Sequence, residues 1–133
     1  MQGSPVSTFS QNIRPHVDAE LLLAAEAESC GQIAEAFAHL ERAHILGQAS
    51  TVQHVRVHCH MFAWGWCRRS VRECMGQILR IFGAATKTVF GLVPSGNTGG
   101  ANISPFKSLP VSPELAELIR KAQMRGKYAR EEG

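Results

Sequence analysis

The sequence predicts an all-α protein: an antiparallel four-helix bundle, a glycine-rich loop packed on it, and a short C-terminal helix. The first observation is that apolar residues recur every three or four positions through four successive segments. The second is that serine capping signals and glycines separate these segments by only a few residues, which favours antiparallel neighbours. The third is a composition of 44% hydrophobic and 19% charged residues, which is typical of a globular chain.

The length of 133 residues predicts one domain with a single core. Residues 1–11 are small and polar without periodicity, so they are expected to form a flexible N-terminal arm. The helical domain should span residues 12–120, and residues 121–133 should form a charged, fraying tail.

The net charge and the cysteines limit the kinds of binding partner and the cellular compartment that we expect. A net charge of +3 is too small to indicate nucleic acid or an anionic membrane as a partner. The four cysteines contain no C-x-x-C pair, and no signal peptide is recognisable, which indicates reduced thiols in the cytoplasm. The most hydrophobic window, residues 78–93, is too short and too charged to span a bilayer. An unknown protein partner and a homodimer both stay open.

Helix 1 is predicted from near Asn12 to Ser29, and Gly31 supplies the left-handed residue that ends it. Pro15 is tolerated because it would lie in the first turn. The buried stripe of this helix should also carry Glu28, beside four apolar residues. Those four are Val17, Leu21, Ala24 and Ala25.

Helices 2 and 3 are predicted over residues 32–46 and from Ser50 to about Trp66, with a turn at residues 47–50 between them. Ser50 and Gln53 have the spacing of a capping box at the start of helix 3. A second capping box, Ser70 and Glu73, begins helix 4, which should run to about Phe90.

Helix 4 has a wide apolar face that we expect to be buried, and a polar face that we expect to meet solvent. The polar face carries Glu73, Arg80 and Lys87. The apolar face comprises Val71, Cys74, Met75, Ile78, Ile81, Phe82, Ala85 and Val89.

From Gly91 the helical period is lost in a stretch rich in glycine and proline, which should lie back on the bundle. Its segment 96–100, GNTGG, lacks the lysine and serine or threonine of a phosphate-binding P-loop, so tight turns explain it better than nucleotide binding does. The role of this loop stays open. Ser112, Pro113 and Glu114 then predict the start of the last helix.

Five of the six histidines lie between His39 and Met61. On a helical wheel, His44 falls within the apolar arc of helix 2. His54 and His58 are one turn apart on helix 3, with apolar residues on both sides. These three histidines are therefore predicted to be buried. The solvent face of helix 3 is left to Gln53, Arg56 and His60.

A buried imidazole without a partner costs about 1–3 kcal/mol, so three in one core need an explanation. A divalent transition metal (zinc, iron, nickel or copper) would use them, because His54 and His58 present two nitrogens from one helix face. His44 would supply a third, and Glu28, Glu41 or water the fourth. Glu41 and His44 also have the Glu-x-x-His spacing of di-iron bundles, but a second copy is missing.

The alternative is a structural network in which the imidazoles form hydrogen bonds with Glu28, Glu41 and buried water, within a non-catalytic interaction module. An enzyme is not indicated, since neither a Ser/His/Asp order nor a Gly-x-Ser-x-Gly motif is present. A three-histidine metal with an open position can nevertheless activate water. The prediction is a small soluble protein of unknown activity, with metal binding and the structural network as competing hypotheses.

Two resemblances complete the analysis. Residues 24–43 resemble one tetratricopeptide-type unit, which implies a helical hairpin and, since only one unit is present, no peptide-binding solenoid. The motifs HLERAHILGQ, HVRVH, REC-x-GQILR and VPSGNTGGANISPF resemble the bacterial family called domain of unknown function 3703. That resemblance covers nearly the whole chain and implies no activity. It includes Glu28, Glu41, His44, His54, His58 and Gln77, whereas His60 and the cysteines look particular to this sequence.

Overall fold

The computed structural model describes residues 5–87 and 109–131 of the chain. These residues form five helices and, within those two ranges, no strand. The all-α class and the bundle-like packing are therefore confirmed. The helices are α1 (Pro5–Ser29), α2 (Ile33–Gly47), α3 (Thr51–Cys67), α4 (Val71–Lys87) and α5 (Pro113–Glu131).

Helix α1 ends at the glycine that the sequence indicated. Gly31 adopts a φ of 75°, a left-handed conformation that residues with a side chain rarely take. The amide of Gly31 donates to the carbonyl of Glu28 at 3.0 Å, and that of Gln32 donates to the carbonyl of Ala27 at 2.9 Å. These two bonds are the Schellman pattern, which satisfies the last carbonyls of a helix.

Three serines begin the later helices, as predicted. The hydroxyl of Ser50 accepts a hydrogen bond from the amide of Gln53 at 3.3 Å, which caps α3. Ser70 caps α4 in the same way at 3.3 Å, and Ser112 caps α5 at 3.4 Å. Each cap satisfies one amide that the first turn of a helix leaves without a partner.

The helices lie side by side in an order that differs from their order in the chain. Helix α1 packs against α2 and α5, and α3 packs between α2 and α4. Within the described residues, α4 therefore packs against no helix except α3. The core lies where α1, α2, α3 and α5 meet. It is built from Ile13, Val17, Leu21, Ala24, Leu40, Ala43, Ile45, Leu46, Val57, Met61, Leu115 and Ala122.

Both ends of the helical region extend beyond the predicted limits. Helix α1 begins at Pro5, where a flexible arm over residues 1–11 was expected. Pro15 consequently lies inside the helix and not in its first turn. Helix α5 continues to Glu131 through the predicted fraying tail, and Ala122 is buried in it. The reason is tertiary: the side-chain amide of Asn12 donates to the carbonyl of Ala122 at 3.1 Å.

The prediction for the orientation of α4 was wrong. Gln77 and Arg80 are buried, whereas Val71, Met75 and Ile78 are exposed. The polar face of α4 is thus turned toward α3 and the apolar face is turned outward. A helical wheel identifies the most apolar face of a helix, but it contains no information about the neighbouring helix, which here presents histidines.

Helix α3 departs from its predicted wheel at four positions. Gln53, which was expected on the solvent face, is buried. Val52, Cys59 and Trp66, expected on an apolar side of the histidine pair, are exposed. The prediction that His44, His54 and His58 are buried is confirmed.

The glycine-rich stretch and its segment 96–100 lie outside the described residues, as does the predicted end of helix 4 at Phe90. The prediction that this stretch lies on the bundle therefore stays a prediction. Among the helices described, none is both long enough and apolar enough to cross a membrane.

Candidate metal centre

The three buried histidines come from two consecutive helices. His44 lies in the last turn of α2, and His54 and His58 lie on successive turns of α3. The turn between the helices is tight, since the amide of Ser50 donates to the carbonyl of Gly47 at 2.9 Å. This turn folds the end of α2 back over the start of α3, so that His44 faces the histidine pair.

The three imidazole rings form a nearly equilateral triangle. The ring centroids of His44 and His54, and those of His44 and His58, are 4.7 Å apart; those of His54 and His58 are 4.8 Å apart. The Nε2 atom of His44 is 2.8 Å from Nε2 of His54 and 3.2 Å from Nε2 of His58. One ligand nitrogen from each residue lies within 4.8 Å of the others.

These distances are close to those of a coordinated ion. Two nitrogens bound tetrahedrally to zinc at 2.0–2.1 Å lie about 3.4 Å from each other. The nitrogens of His44 and His58 are already at nearly that separation, and those of His44 and His54 would have to separate by about half an ångström. The histidines are only 1–7% exposed, so the site is enclosed by protein.

A chain of hydrogen bonds from α4 fixes the tautomer of His58. The side-chain amide nitrogen of Gln77 donates to the carboxylate of Glu73 at 2.5 Å, because a carboxylate can only accept. The amide oxygen of Gln77 therefore faces Nδ1 of His58, at 2.6 Å. Nδ1 of His58 must carry the proton, and its Nε2 then presents a lone pair to the other two histidines. We call Glu73, Gln77 and His58 the relay.

Burial keeps the imidazoles of His54 and His58 neutral near pH 7. Desolvation lowers the pKa of His54 to about 3, with His58 and Arg80 adding to the effect. Desolvation also lowers the pKa of His58 to about 4, although its hydrogen bond to Gln77 opposes this. Neutral imidazole is the form that binds a metal.

The carboxylates predicted as a fourth ligand lie elsewhere. Glu28 forms an ion pair with Arg68 at 3.2 Å and is part of a different surface. Glu41 is half-buried beside the relay, where burial and the charge of Glu73 raise its pKa. Among the described residues, the possible ligands that come together are His44, His54 and His58 alone. Glu28 is paired with Arg68 at the end of α3, so its assignment as a possible fourth ligand stays a prediction.

The remaining histidines and cysteines of this region do not join the cluster. His60 is exposed, as predicted. Cys59 and Cys67 are exposed as well, although Cys59 was expected to face an apolar side of α3. His39 contacts the carboxylate of Glu20 at 2.7 Å on the opposite side of α2.

Gln77 and Arg80 are the site residues that reasoning from helical periodicity missed. Glu73, Gln77 and Arg80 are spaced four and three residues apart, so they form one polar stripe on α4. The sequence analysis assigned Glu73 and Arg80 to a solvent face, and Gln77 stood out only through the family resemblance. The sequence signal that could have identified this face as buried is a polar stripe that contains an uncharged glutamine.

Comparison with known proteins identifies the family. A family model described as a protein of unknown function (DUF3703) matches residues 11–119. The chain belongs to that family. All three histidines and the relay lie within the matched part of the DUF3703 domain. No curated protein and no solved structure matches the chain.

Proposed function

We propose that this DUF3703 protein binds one divalent transition-metal ion through the Nε2 atoms of His44, His54 and His58. The observation that carries the proposal is the convergence of three buried histidine nitrogens, with Nε2 of His44 at 2.8 Å from His54 and 3.2 Å from His58. Neutral imidazole nitrogens that converge on one point present the lone pairs that a transition-metal ion binds.

The relay supports the same proposal. A metal-binding histidine usually donates its other ring N–H to an oxygen atom, which holds the ring in place and makes the ligand nitrogen more basic. Gln77 accepts that hydrogen bond from His58, and Glu73 in turn orients Gln77. The relay thus prepares His58 in the tautomer that a metal requires.

The donor set limits the kind of metal. Three neutral imidazoles suit zinc, copper, iron or nickel, and they are poor ligands for magnesium or calcium, which prefer oxygen. Three protein ligands leave a position for water or another small ligand, as in metal sites that are open to exchange. The identity of the ion is not encoded in this geometry.

The second candidate is a structural histidine network without a metal, in a non-catalytic interaction module. The relay also favours it, since a fully hydrogen-bonded polar chain fixes how α3 and α4 pack. In that case Nε2 of His44 must carry a proton and donate toward His54 and His58. Under the metal hypothesis all three Nε2 atoms are unprotonated.

Elemental analysis decides between the two. Protein purified without a histidine tag, then dialysed, should contain close to one transition-metal ion per chain. His58→Ala should lose the ion. His60→Ala is the matched control, because His60 is on the same helix but exposed, and it should retain the ion.

Nitrogen-15 NMR of the imidazoles gives an independent result. A metal-loaded protein should show three unprotonated Nε2 atoms, and chelation should change their chemical shifts. Protein that stays metal-free after incubation with each of the four ions, with an Nε2 proton on His44, would refute metal binding and support the structural network.

A further inference from the structure

The outward face of α4 carries a group of exposed apolar side chains. We use the name outer α4 face for five of these large apolar side chains, four on α4 and one at the end of α3. Their exposed fractions are 40–74%, and they are Trp66, Val71, Met75, Ile78 and Leu79. At about 200 Å² for each large side chain, roughly 600 Å² of apolar surface faces outward. Patches of this size on soluble proteins usually mark interaction sites.

A groove runs along this face between the end of α3 and the start of α4. It encloses about 460 Å³. The rings of Phe62 and Trp66 stack along one wall, with centroids 6.0 Å apart. Val71, Met75 and Ile78 form the other wall. Leu79 stands beside the groove as an exposed ridge on the same helix.

The relay prevents α4 from turning this face inward. Gln77 is fully buried and holds His58, so rotation of α4 about its axis would break the bond from Nδ1 of His58. It would also leave imidazoles facing hydrocarbon. The apolar face can therefore be covered only from outside.

We propose that a second copy of this chain covers the outer α4 face, with the two α4 helices antiparallel across a two-fold axis near Ile78. The groove lies beside the first part of α4, and Leu79 lies further along the same helix. In an antiparallel pair, each copy can therefore place its Leu79 toward the groove of the other. Such self-complementarity is what a two-fold interface requires. The roughly 600 Å² of apolar surface, with a polar rim, approaches the ~800 Å² per partner of a standard interface.

The charges on the face favour the antiparallel orientation. Arg69 and Arg72 are exposed at the amino-terminal end of α4. In an antiparallel pair, the arginines of the two copies lie at opposite ends of the interface. A parallel pair would bring four guanidinium groups together, which is unfavourable.

The position of α4 in the fold leads to the same conclusion. Of the helices described, α4 is the last in the side-by-side order, with α3 as its one helical neighbour. Helices at the end of such an array need a polar outer face to be stable alone in water. The outer α4 face is apolar, so it is a surface for continued packing.

The test is the mass of the full-length protein in solution, measured by light scattering and sedimentation over about 1–200 µM, with chelator present to exclude metal bridging. We expect twice the 14.5 kDa chain mass at the upper concentrations. Val71→Glu and Leu79→Glu should each weaken the dimer at least about a hundredfold, since each places a charge in an apolar interface.

Leu22→Glu is the matched control, because Leu22 is an equally exposed leucine on α1, far from α4. It should leave the dimer intact. Circular dichroism checks that all variants keep their helices. A wild-type protein that is monomeric at the highest concentration would overturn the proposal. Another protein, or another part of the same chain, would then be the group that covers the face. A dimer that survives both glutamate variants would also overturn it.

Discussion

At the scale of single residues, Gln77 is the group that gives the histidine cluster its chemical state. Its amide has one donating and one accepting end, and Glu73 occupies the donating end at 2.5 Å. The accepting end therefore has to face His58, which leaves a lone pair on Nε2 of that histidine. A second histidine or a serine in place of Gln77 could reverse its roles and would not fix the tautomer.

Replacement of Gln77 tests the relay. Gln77→Leu keeps the volume but removes the acceptor, so we expect metal affinity to fall about 10–100-fold, the usual effect of losing such a partner. Competition with a chromophoric chelator measures the affinity. Gln123→Leu, at an exposed position of α5, is the control; an unchanged affinity in Gln77→Leu would show that the relay does not act on the metal.

The depressed pKa values of His54 and His58 predict how stability depends on pH in the metal-free protein. Their folded pKa values of about 3 and about 4 lie below the unfolded value near 6.5. The unfolded chain therefore binds more protons below pH 6.5, and stability is complete above that pH and decreases as the pH falls toward 4.

At pH 5.5, one unit below the unfolded pKa, each histidine should reduce the free energy of unfolding by about 1.4 kcal/mol. Glu41 acts with the opposite sign, because its raised pKa makes the folded state bind its proton more tightly as the pH falls. Urea midpoints at pH 7.5 and 5.5 in chelator measure the net effect. His58→Gln should reduce the difference between the two midpoints, and an equal difference in this variant would contradict the assignment.

At the scale of elements, two glycines set the distances between the helices that carry the site. A Cβ atom on Gly47 would lie 3.0 Å from Cβ of Gln53, where the end of α2 meets the start of α3. A Cβ on Gly65 would lie 3.0 Å from Cβ of Glu73, where α3 meets α4. The close approach at Gly47 sets the distance between His44 and His54. The close approach at Gly65 brings the relay residues of α4 to His58.

Gly47→Ala should therefore affect both stability and the site. The added methyl group overpacks the contact with Gln53, and we expect a loss of about 1–3 kcal/mol in the free energy of unfolding. Metal binding should also weaken, because α2 shifts against α3 and the three histidine nitrogens no longer converge on one point. Chemical denaturation and chelator competition measure the two effects.

Gly31→Ala is the control for that prediction. A Cβ there meets nothing within 4 Å, but the positive φ of Gly31 makes it strained. It should cost about 1 kcal/mol and leave metal affinity unchanged. Equal metal affinities in both variants would show that Gly47 does not set the spacing of the histidines.

At the scale of the whole molecule, the apolar core and the histidine cluster occupy different parts of the fold. Helix α5 packs against α1 and α2 and supplies Leu115 and Ala122 to the core. The cluster lies among α2, α3 and α4, and α5 has no packing contact with either α3 or α4. Helices α2 and α3 contribute to both parts, whereas α5 contributes only to the core.

This separation predicts that stability and metal binding can be changed independently. Leu115→Ala removes a side chain that is 2% exposed, and it should reduce the free energy of unfolding by about 2–5 kcal/mol. The metal affinity of the protein that remains folded should not change. Leu22→Ala, at an exposed leucine of α1, should cost less than about 0.5 kcal/mol. A large loss of affinity in Leu115→Ala would mean that α5 supports the site.

The sequence by itself determined the helices, most of their ends and the burial of the three histidines. These features depend on neighbours in the chain: a serine caps the amide three residues later, and His54 and His58 share a face because they are four residues apart. The wheel for α2 placed His44 within an apolar arc, and it is buried.

Only the tertiary structure decided which face of α4 is buried, which residue accepts from His58, and that Glu28 lies outside the cluster. Gln77 is nineteen residues from His58, and Glu28 is forty residues from its partner Arg68. The periodicity of a helix reports how apolar each face is, but not what the neighbouring helix presents to it. On α4 the hydrogen bonds offered by buried histidines outweighed the apolar arc, because an imidazole against hydrocarbon would leave its N–H without an acceptor.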